Sequence, residues 1–285
     1  MLEVQVEGQA ANIIYIIRSE VFTMKIATYN VWNENKGIGG RFEQLIQEII
    51  CIDADIIALQ EVTSKFYKDI LLQNIGYQYC EFSKYTDEDE GLAILSKYSI
   101  ESCTFLQINS EYANSKAQNI LLKCGKSRFS ITNVHIPCDS AKEKEEQIVA
   151  VDKFIHTQKD QADYFILLGD FNSGINSSIH RFLIGEQTIN NAESNPYWLD
   201  IMGNYTALNG LSLQPTLDCI NNPRWKGKNT IYAPENVDRI YILDNWEPMK
   251  FINAELFGTA ISPVNNLSAS DHYGVVVEVD FSKRA

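Results

Sequence analysis

The stretch DYFILLGDFNSG, residues 163–174, decides how this chain is read. Tyr164, Phe165, Ile166, Leu167 and Leu168 form an unbroken apolar run, the pattern of a strand covered on both faces. The run stops at Gly169-Asp170-Phe171-Asn172, so a carboxylate and a carboxamide stand where the strand emerges. Buried polar groups of this kind are costly unless something binds them. The question is what Asp170 holds.

The same punctuation recurs on either side. Residues 25–31 read as a strand that ends at Asn30, and ADIIALQEV (54–62) reads as a buried strand that ends in Gln60 and Glu61. EGLAILSKYSI (90–100), SRFSITNVHIPCD (127–139), VDRIYILD (237–244) and HYGVVVEVDF (272–281) supply further strands. Two helices separate the early strands. In RFEQLIQEIICI (41–52), Phe42, Leu45, Ile46, Ile49 and Ile50 share one helical face. In DSAKEKEEQIVAVDKFIHT (139–157), Ser140 and Glu143 make a capping box, and Ile148, Val151 and Ile155 form the apolar stripe. From Asn176 to about Pro234 the chain is Asn-rich and weakly periodic, with a short helix near 179–183 and then long loops. Strands alternating with helices early and strands predominating late point to a layered α/β architecture.

At 285 residues and 45% hydrophobic content, with no Pro/Gly/Ser-rich linker, the chain reads as one principal domain over residues 24–285. Residues 1–23 read as an N-terminal extension: an extra edge strand, or the product of an over-extended start, since Met24 directly precedes the first strong strand. The net charge of −13, from 37 acidic and 24 basic residues, repels a polyanion at long range and counts against tight binding to duplex DNA. The six cysteines (51, 80, 103, 124, 138 and 219) contain no CxxC pair and read as reduced, buried thiols. No stretch is long and apolar enough to span a membrane, and the first residues lack a basic leader, so a cytoplasmic location is expected.

Asn30, Glu61, His135, Asp170, Asn172, Asp238, Asp271 and His272 all stand where an apolar run stops or is interrupted. Any one Asn or Asp there is compatible with an ordinary turn. Glu61 and His135 are not preferred turn residues. If the strands lie side by side, these groups converge, and converging carboxylates repel unless a cation sits between them. The ligands on offer are mostly oxygens, which suits Mg²⁺, or Mn²⁺, rather than zinc. A hard ion beside imidazoles is equipment for phosphoester hydrolysis.

TYNVW (28–32), LQEV (59–62), NVHIP (133–137), GDFN (169–172), VDRIYI (237–242) and SDHYGVV (270–276), in this order, resemble the endonuclease/exonuclease/phosphatase superfamily. The resemblance runs from about Lys25 to Val279. It implies a four-layer α/β/β/α sandwich: two mixed β-sheets face to face, helices outside, and the site at one rim. It implies Glu61 as the principal Mg²⁺ ligand, with Asn30 contacting metal or phosphate and Asp271 beside the ion. Asp170 would position or deprotonate the attacking water, and Asn172 would hold a phosphate oxygen. His272 would bind the scissile phosphate, oriented by Asp238. His135 resembles the histidine branch of the superfamily, deoxyribonuclease-like and sphingomyelinase-like, in which a glutamate ahead of a strand orients that histidine; Glu90 occupies a similar place.

The substrate is less legible. In NNPRWKGKNTIY (221–232), Arg224, Trp225, Lys226 and Lys228 make a basic-aromatic cluster. It would either grip a phosphate and stack a base or sugar, or be a packed tryptophan with solvated lysines. A small phosphorylated metabolite suits the acidic surface. DNA or RNA suits the resemblance but not the charge, and a phospholipid suits His135. A phosphate-binding module without turnover is the alternative outside enzymes.

Overall fold

Twelve strands build two mixed six-stranded sheets in this computed structural model, which describes residues 22–32, 41–85, 89–108, 116–228 and 233–281. The first sheet contains β1 (Thr23–Asn30), β2 (Ile56–Thr63), β3 (Tyr79–Lys84), β4 (Glu90–Ser96), β11 (Lys250–Phe257) and β12 (Gly274–Asp280), ordered β11-β12-β1-β2-β4-β3. The second contains β5 (Ile100–Gln107), β6 (Lys116–Cys124), β7 (Ser127–His135), β8 (Tyr164–Asp170), β9 (Trp198–Asp200) and β10 (Asp238–Leu243), ordered β5-β6-β7-β8-β10-β9.

Each sheet has one parallel pair at its centre, β1 with β2 and β7 with β8, and antiparallel pairs outside it. A parallel pair needs a crossover. Helix α1 (Arg41–Ile52) supplies one and α3 (Ala141–His156) the other. The two halves therefore repeat one plan, and both parallel pairs end at the same edge of the sandwich, where Asn30, Glu61, His135 and Asp170 meet.

Between the sheets, Ile26, Ile56, Ile94 and Val277 meet Ile120, Ile131, Ile166 and Ile240, all fully or almost fully buried. On the outer face of the first sheet, Leu45, Ile46 and Ile49 of α1 cover Tyr29, Leu59 and Leu95. On the outer face of the second, Ile148, Val151 and Ile155 of α3 join Phe182 of α4 (Ser178–Leu183) over Phe165 and Leu167. The result is the four-layer α/β/β/α sandwich.

Several expectations are corrected. Ile50 is 42% exposed, because a step of about 100° from Ile49 carries it off the buried stripe. EGLAILSKYSI is two strands: β4 ends at Ser96, and β5 begins at Ile100 in the other sheet. The Asn-rich stretch holds β9 and helix α5 (Ile201–Leu208), whose N-terminus is capped by Asp200 accepting from Gly203 N at 3.0 Å. Residues 1–21 of the expected extension lie outside the described residues. Thr23 already belongs to β1, and Phe22 packs on Phe129 and Phe281 while its carbonyl accepts from Phe281 N at 2.8 Å. All six cysteines are free, but Cys51 and Cys138 are exposed and the others only half-buried. No described helix is long and apolar enough to cross a membrane.

Candidate active site

Register places the site. His135 of β7 pairs with Asp170 of β8, and Asp238 of β10 pairs with Asp170 from the other side. One acid thus stands between a histidine and a second acid at the ends of three adjacent strands. In the opposing sheet, Asn30 pairs with Gln60. Glu61 follows where the β2–β4 ladder slips between Leu59 and Val62, and its φ is +58°. A bulge re-aims side chains. Here it lets Gln60 donate to Asn133 Oδ1 at 2.7 Å between the sheets while Glu61 meets Asn30. A side chain held at that φ costs about 1 kcal/mol, a strain typical of functional positions.

Asn30 ties the sheets together. Its Nδ2 donates to Glu61 Oε1 at 2.9 Å and to Asp170 Oδ2 at 3.0 Å. Its Oδ1 accepts from Trp32 N at 2.9 Å, which fixes the carboxamide's orientation. Asn30 Nδ2 thus spends both protons on the two carboxylates, and its oxygen is engaged by Trp32 N.

His272 Nδ1 lies 2.9 Å from Asp238 Oδ2, and its Nε2 lies 4.0 Å from Asp170 Oδ2. Burial alone would lower the His272 pKa, but the charges of Asp238 and Asp170 outweigh it and hold the imidazole well above its ordinary value. Burial also raises the Asp170 carboxyl, helped by Asp238 and opposed by His272, His135 and Asn30. On the other flank, His135 Nε2 lies 3.6 Å from Asp170 Oδ2 and 3.8 Å from Glu61 Oε1. Asn172, at φ +46°, donates its backbone N–H to Asp170 Oδ1 at 2.8 Å and its Nδ2 to Ile136 O at 2.9 Å.

His135 Nδ1 is 3.0 Å from the hydroxyl of Tyr85, which is buried. Glu90 stands next to this pair, its carbonyl accepting from Tyr85 N at 2.7 Å.

Asp271 adjoins His272, with Oδ1 buried and no hydrogen-bond partner among the described residues. Burial pushes its pKa up to about 6, lowered by His272 and raised further by Glu61. An orphaned buried carboxylate oxygen that feels a second carboxylate fits an oxygen-ligated divalent cation. Asp170, Asp238 and His272 also offer ligand atoms within 4.8 Å of one another. There, however, His272 Nδ1 is already engaged by Asp238, a pattern that orients an imidazole rather than frees it for an ion.

From the loop, Trp225 Nε1 donates to Asp271 O at 3.1 Å and Arg224 Nε donates to Ser268 O at 2.7 Å. Lys226 does not join them: it is exposed, and the cation over Trp225 is Lys228, 4.6 Å from the ring centroid. Four further residues contribute: Tyr85 and Arg41 lie outside the motifs, and Ser270 and Trp32 lie inside SDHYGVV and TYNVW. Ser270 Oγ donates to Asn30 O at 2.7 Å and accepts from His272 N at 3.2 Å. Arg41 Nε donates to Ala269 O at 2.7 Å, and Nη2 reaches the carbonyls of Val31 and Trp32. A cavity of about 600 Å³ includes Tyr273 in its lining but none of the site's acids or histidines.

This fold and this convergence of acids and imidazoles coincide with a family match. The model of the endonuclease/exonuclease/phosphatase family matches residues 27–272, and the chain belongs to that family of phosphoester hydrolases. A curated relative, the probable CCR4-Not complex 3'-5'-exoribonuclease subunit Ccr4 of Vairimorpha ceranae (strain BRL01), is 27% identical over 228 residues. The match covers 66% of this chain and 48% of that protein, so the chain spans about half the length of the relative. Among solved structures, D. rerio TDP2 complexed with a single-strand DNA product superposes with a TM-score of 0.73 at 15% identity, covering 90% of this chain and 98% of that one. ANGEL2, described as a 2',3'-cyclic phosphatase, gives a TM-score of 0.70 at 17% identity, covering 92% and 96%. At such identities the structures share a fold.

Proposed function

We propose that this chain is a Mg²⁺-dependent phosphoester hydrolase in which water attacks phosphorus from the Asp170 side. The observation that carries the reading is a buried acid between two imidazoles. Asp170 lies 3.6 Å from His135 and 4.0 Å from His272, and each imidazole is held at its other nitrogen by a buried partner.

Glu61 and Asp271 would hold the ion, and their oxygen donors suit Mg²⁺, with Mn²⁺ as a substitute. When bound, the cation neutralises charge on a phosphate oxygen. The chain's own groups do the rest. Asp170, raised by burial, orients water and accepts its proton. His272, held as the cation by Asp238, donates from Nε2 to phosphoryl oxygen, where negative charge grows. His135 offers a second imidazole, while the carboxamides of Asn30 and Asn172 donate to Asp170 Oδ2 at 3.0 Å and 3.3 Å and so orient the acid.

The net charge of −13 favours a compact phosphorylated substrate over a long duplex. A second reading, a nuclease or phosphodiesterase of nucleic acid, is favoured by relatives named as an exoribonuclease subunit and as bound to single-strand DNA.

The test is turnover of methyl p-nitrophenyl phosphate and p-nitrophenyl phosphate with Mg²⁺, with Mn²⁺ and with chelator. Metal-dependent release of nitrophenol from either ester is expected. Silence with both metals, while inorganic phosphate still binds, would replace the hydrolase with a phosphate-binding module.

A further inference from the structure

We propose that Tyr85 is a positioning residue for the reaction: its hydroxyl donates to His135 Nδ1 and so fixes His135 as a hydrogen-bond donor, through Nε2, to the phosphoryl group. The inference rests on the hydrolase reading above and adds the residue that sets what the second imidazole can do.

The two imidazoles are held by chemically different partners. Behind His272 Nδ1 stands the carboxylate of Asp238, at 2.9 Å. An ionised carboxylate can only accept, so that nitrogen carries hydrogen. Behind His135 Nδ1 stands the Tyr85 hydroxyl, at 3.0 Å, and a hydroxyl can donate or accept. The far side of the ring decides between the two. His135 Nε2 looks onto Asp170 Oδ2 at 3.6 Å and Glu61 Oε1 at 3.8 Å, both acceptors. A bare lone pair there would face two carboxylates, so the hydrogen belongs on Nε2. Nδ1 is then the acceptor and the phenol the donor. At these distances neither carboxylate takes a full hydrogen bond from Nε2. Asp170 Oδ2 is already supplied by Asn30 Nδ2 at 3.0 Å and Asn172 Nδ2 at 3.3 Å. The Nε2 hydrogen is therefore left for an oxygen of the substrate.

The tyrosine is itself held in place. It is 2% exposed, and its ring centroid lies 6.0 Å from that of the imidazole. Its N–H donates to Glu90 O at 2.7 Å, and the carbonyl of the preceding Lys84 accepts from Lys116 Nζ at 2.9 Å. One bond comes from β4 and the other from β6 of the opposing sheet, so the end of edge strand β3 is fixed from two sides. Without the hydroxyl, the imidazole is free to turn over about its Cβ–Cγ bond, which puts a carbon where Nε2 stood, or to move its hydrogen to Nδ1. Either change removes the donor from the site.

The test uses the full chain with methyl p-nitrophenyl phosphate and Mg²⁺. Tyr85→Phe keeps the ring and removes only the hydroxyl. It should lower kcat about tenfold with KM and the Mg²⁺ requirement unchanged, since the group that orients a working histidine is worth about 10- to 100-fold. In the His135→Ala background the same substitution should have no further effect. An equal fractional loss in both backgrounds would make Tyr85 a packing residue and overturn the proposal, as would an unchanged kcat in Tyr85→Phe. A second measurement needs no turnover. Nitrogen NMR of protein carrying isotope-labelled histidine reads both ring nitrogens, and with four histidines in the chain His135 is assigned by its loss in His135→Gln. At neutral pH wild-type His135 is expected to show a protonated Nε2 and a bare Nδ1, and Tyr85→Phe a mixture of tautomers. A protonated Nδ1 in wild type, or the same His135 signals in both proteins, would overturn the proposal. If wild type turns over no phosphoester, the hydrolase reading has failed, and the NMR comparison alone decides whether Tyr85 fixes the ring.

Discussion

Asn30 Nδ2 and Asp170 Oδ2, 140 positions apart in sequence and carried by different sheets, lie 3.0 Å apart. The same nitrogen is 2.9 Å from Glu61 Oε1. One carboxamide thus keeps two carboxylates together that would otherwise repel across the sheet interface. Asn30→Ala is expected to cost about 1–3 kcal/mol of stability, the penalty for leaving buried acceptors unpaired. Asn30→Asp should cost more, because it adds a third negative charge. Mg²⁺ should raise the melting temperature of Asn30→Asp more than that of wild type. Equal melting of Asn30→Asp and wild type in chelator would contradict this.

Glu61 stands at φ +58°, where a Cβ is strained. Glu61→Gly and Glu61→Ala remove the same carboxylate, but only glycine relieves the strain. Glu61→Gly should be more stable than Glu61→Ala by about 1 kcal/mol in denaturant unfolding, while both demand far more Mg²⁺ for turnover. Equal stabilities would mean that the bulge imposes no strain.

The pH dependence follows from Asp271, His272 and Asp170. Burial pushes Asp271 up to about 6, so its affinity for a cation falls as pH drops through that value. The Mg²⁺ concentration for half-maximal activity should rise between about pH 7.5 and about pH 5.5, and Asp271→Asn should flatten that rise. Asp170 is raised too, which adds to the acid limb; His272 is raised, so its imidazolium persists through neutrality and the basic limb lies well above pH 7. A basic limb at the ordinary histidine value would contradict the Asp238–His272 pairing.

Away from the site, His156 Nδ1 lies 3.3 Å from Asp152 Oδ1, and that hydrogen bond lifts its pKa to about 9 against the loss from burial. A raised folded-state pKa gives stability that is complete below the unfolded value of about 6.5 and disappears as pH rises through the folded value. His156→Gln should therefore melt below wild type in mild acid, and the gap should shrink as pH rises through about 9. A gap independent of pH would assign the loss to packing on Trp198 instead.

Much of this was legible in sequence because burial on both faces writes itself as continuous apolar runs. β2, β8 and β10 were visible for that reason, and the polar residues at their ends, with His135 closing β7, marked the site. Edge strands carry no such mark. β5 is half-buried at every third residue and exposed between, and β3 has a single buried residue, so neither shows the two-residue period of a strand. The chain's switch between sheets at Lys97–Ser99 lay hidden because apolar residues continue on both sides of it.

Within the site, the groups named in motifs were read from their own neighbours, whereas Tyr85 stands outside every motif and acts through a contact made only on folding. Glu90 was assigned to His135 from its place before a strand. In the structure Tyr85, five residues earlier and directly after β3, places its hydroxyl 3.0 Å from His135 Nδ1. Lys226 and Lys228 differ for a similar reason: the turn after Trp225 sends only the second back over the indole.

The most direct test is a Mg²⁺ titration of phosphoester turnover by wild type, His272→Ala and Glu61→Gln under identical conditions. His272→Ala should lose about 10²–10³ in kcat at an unchanged metal requirement, because it removes charge stabilisation without touching the ion's ligands. Glu61→Gln should need markedly more Mg²⁺. Near-native kcat in His272→Ala at saturating metal, or an unshifted requirement in Glu61→Gln, would contradict the assignment of the site.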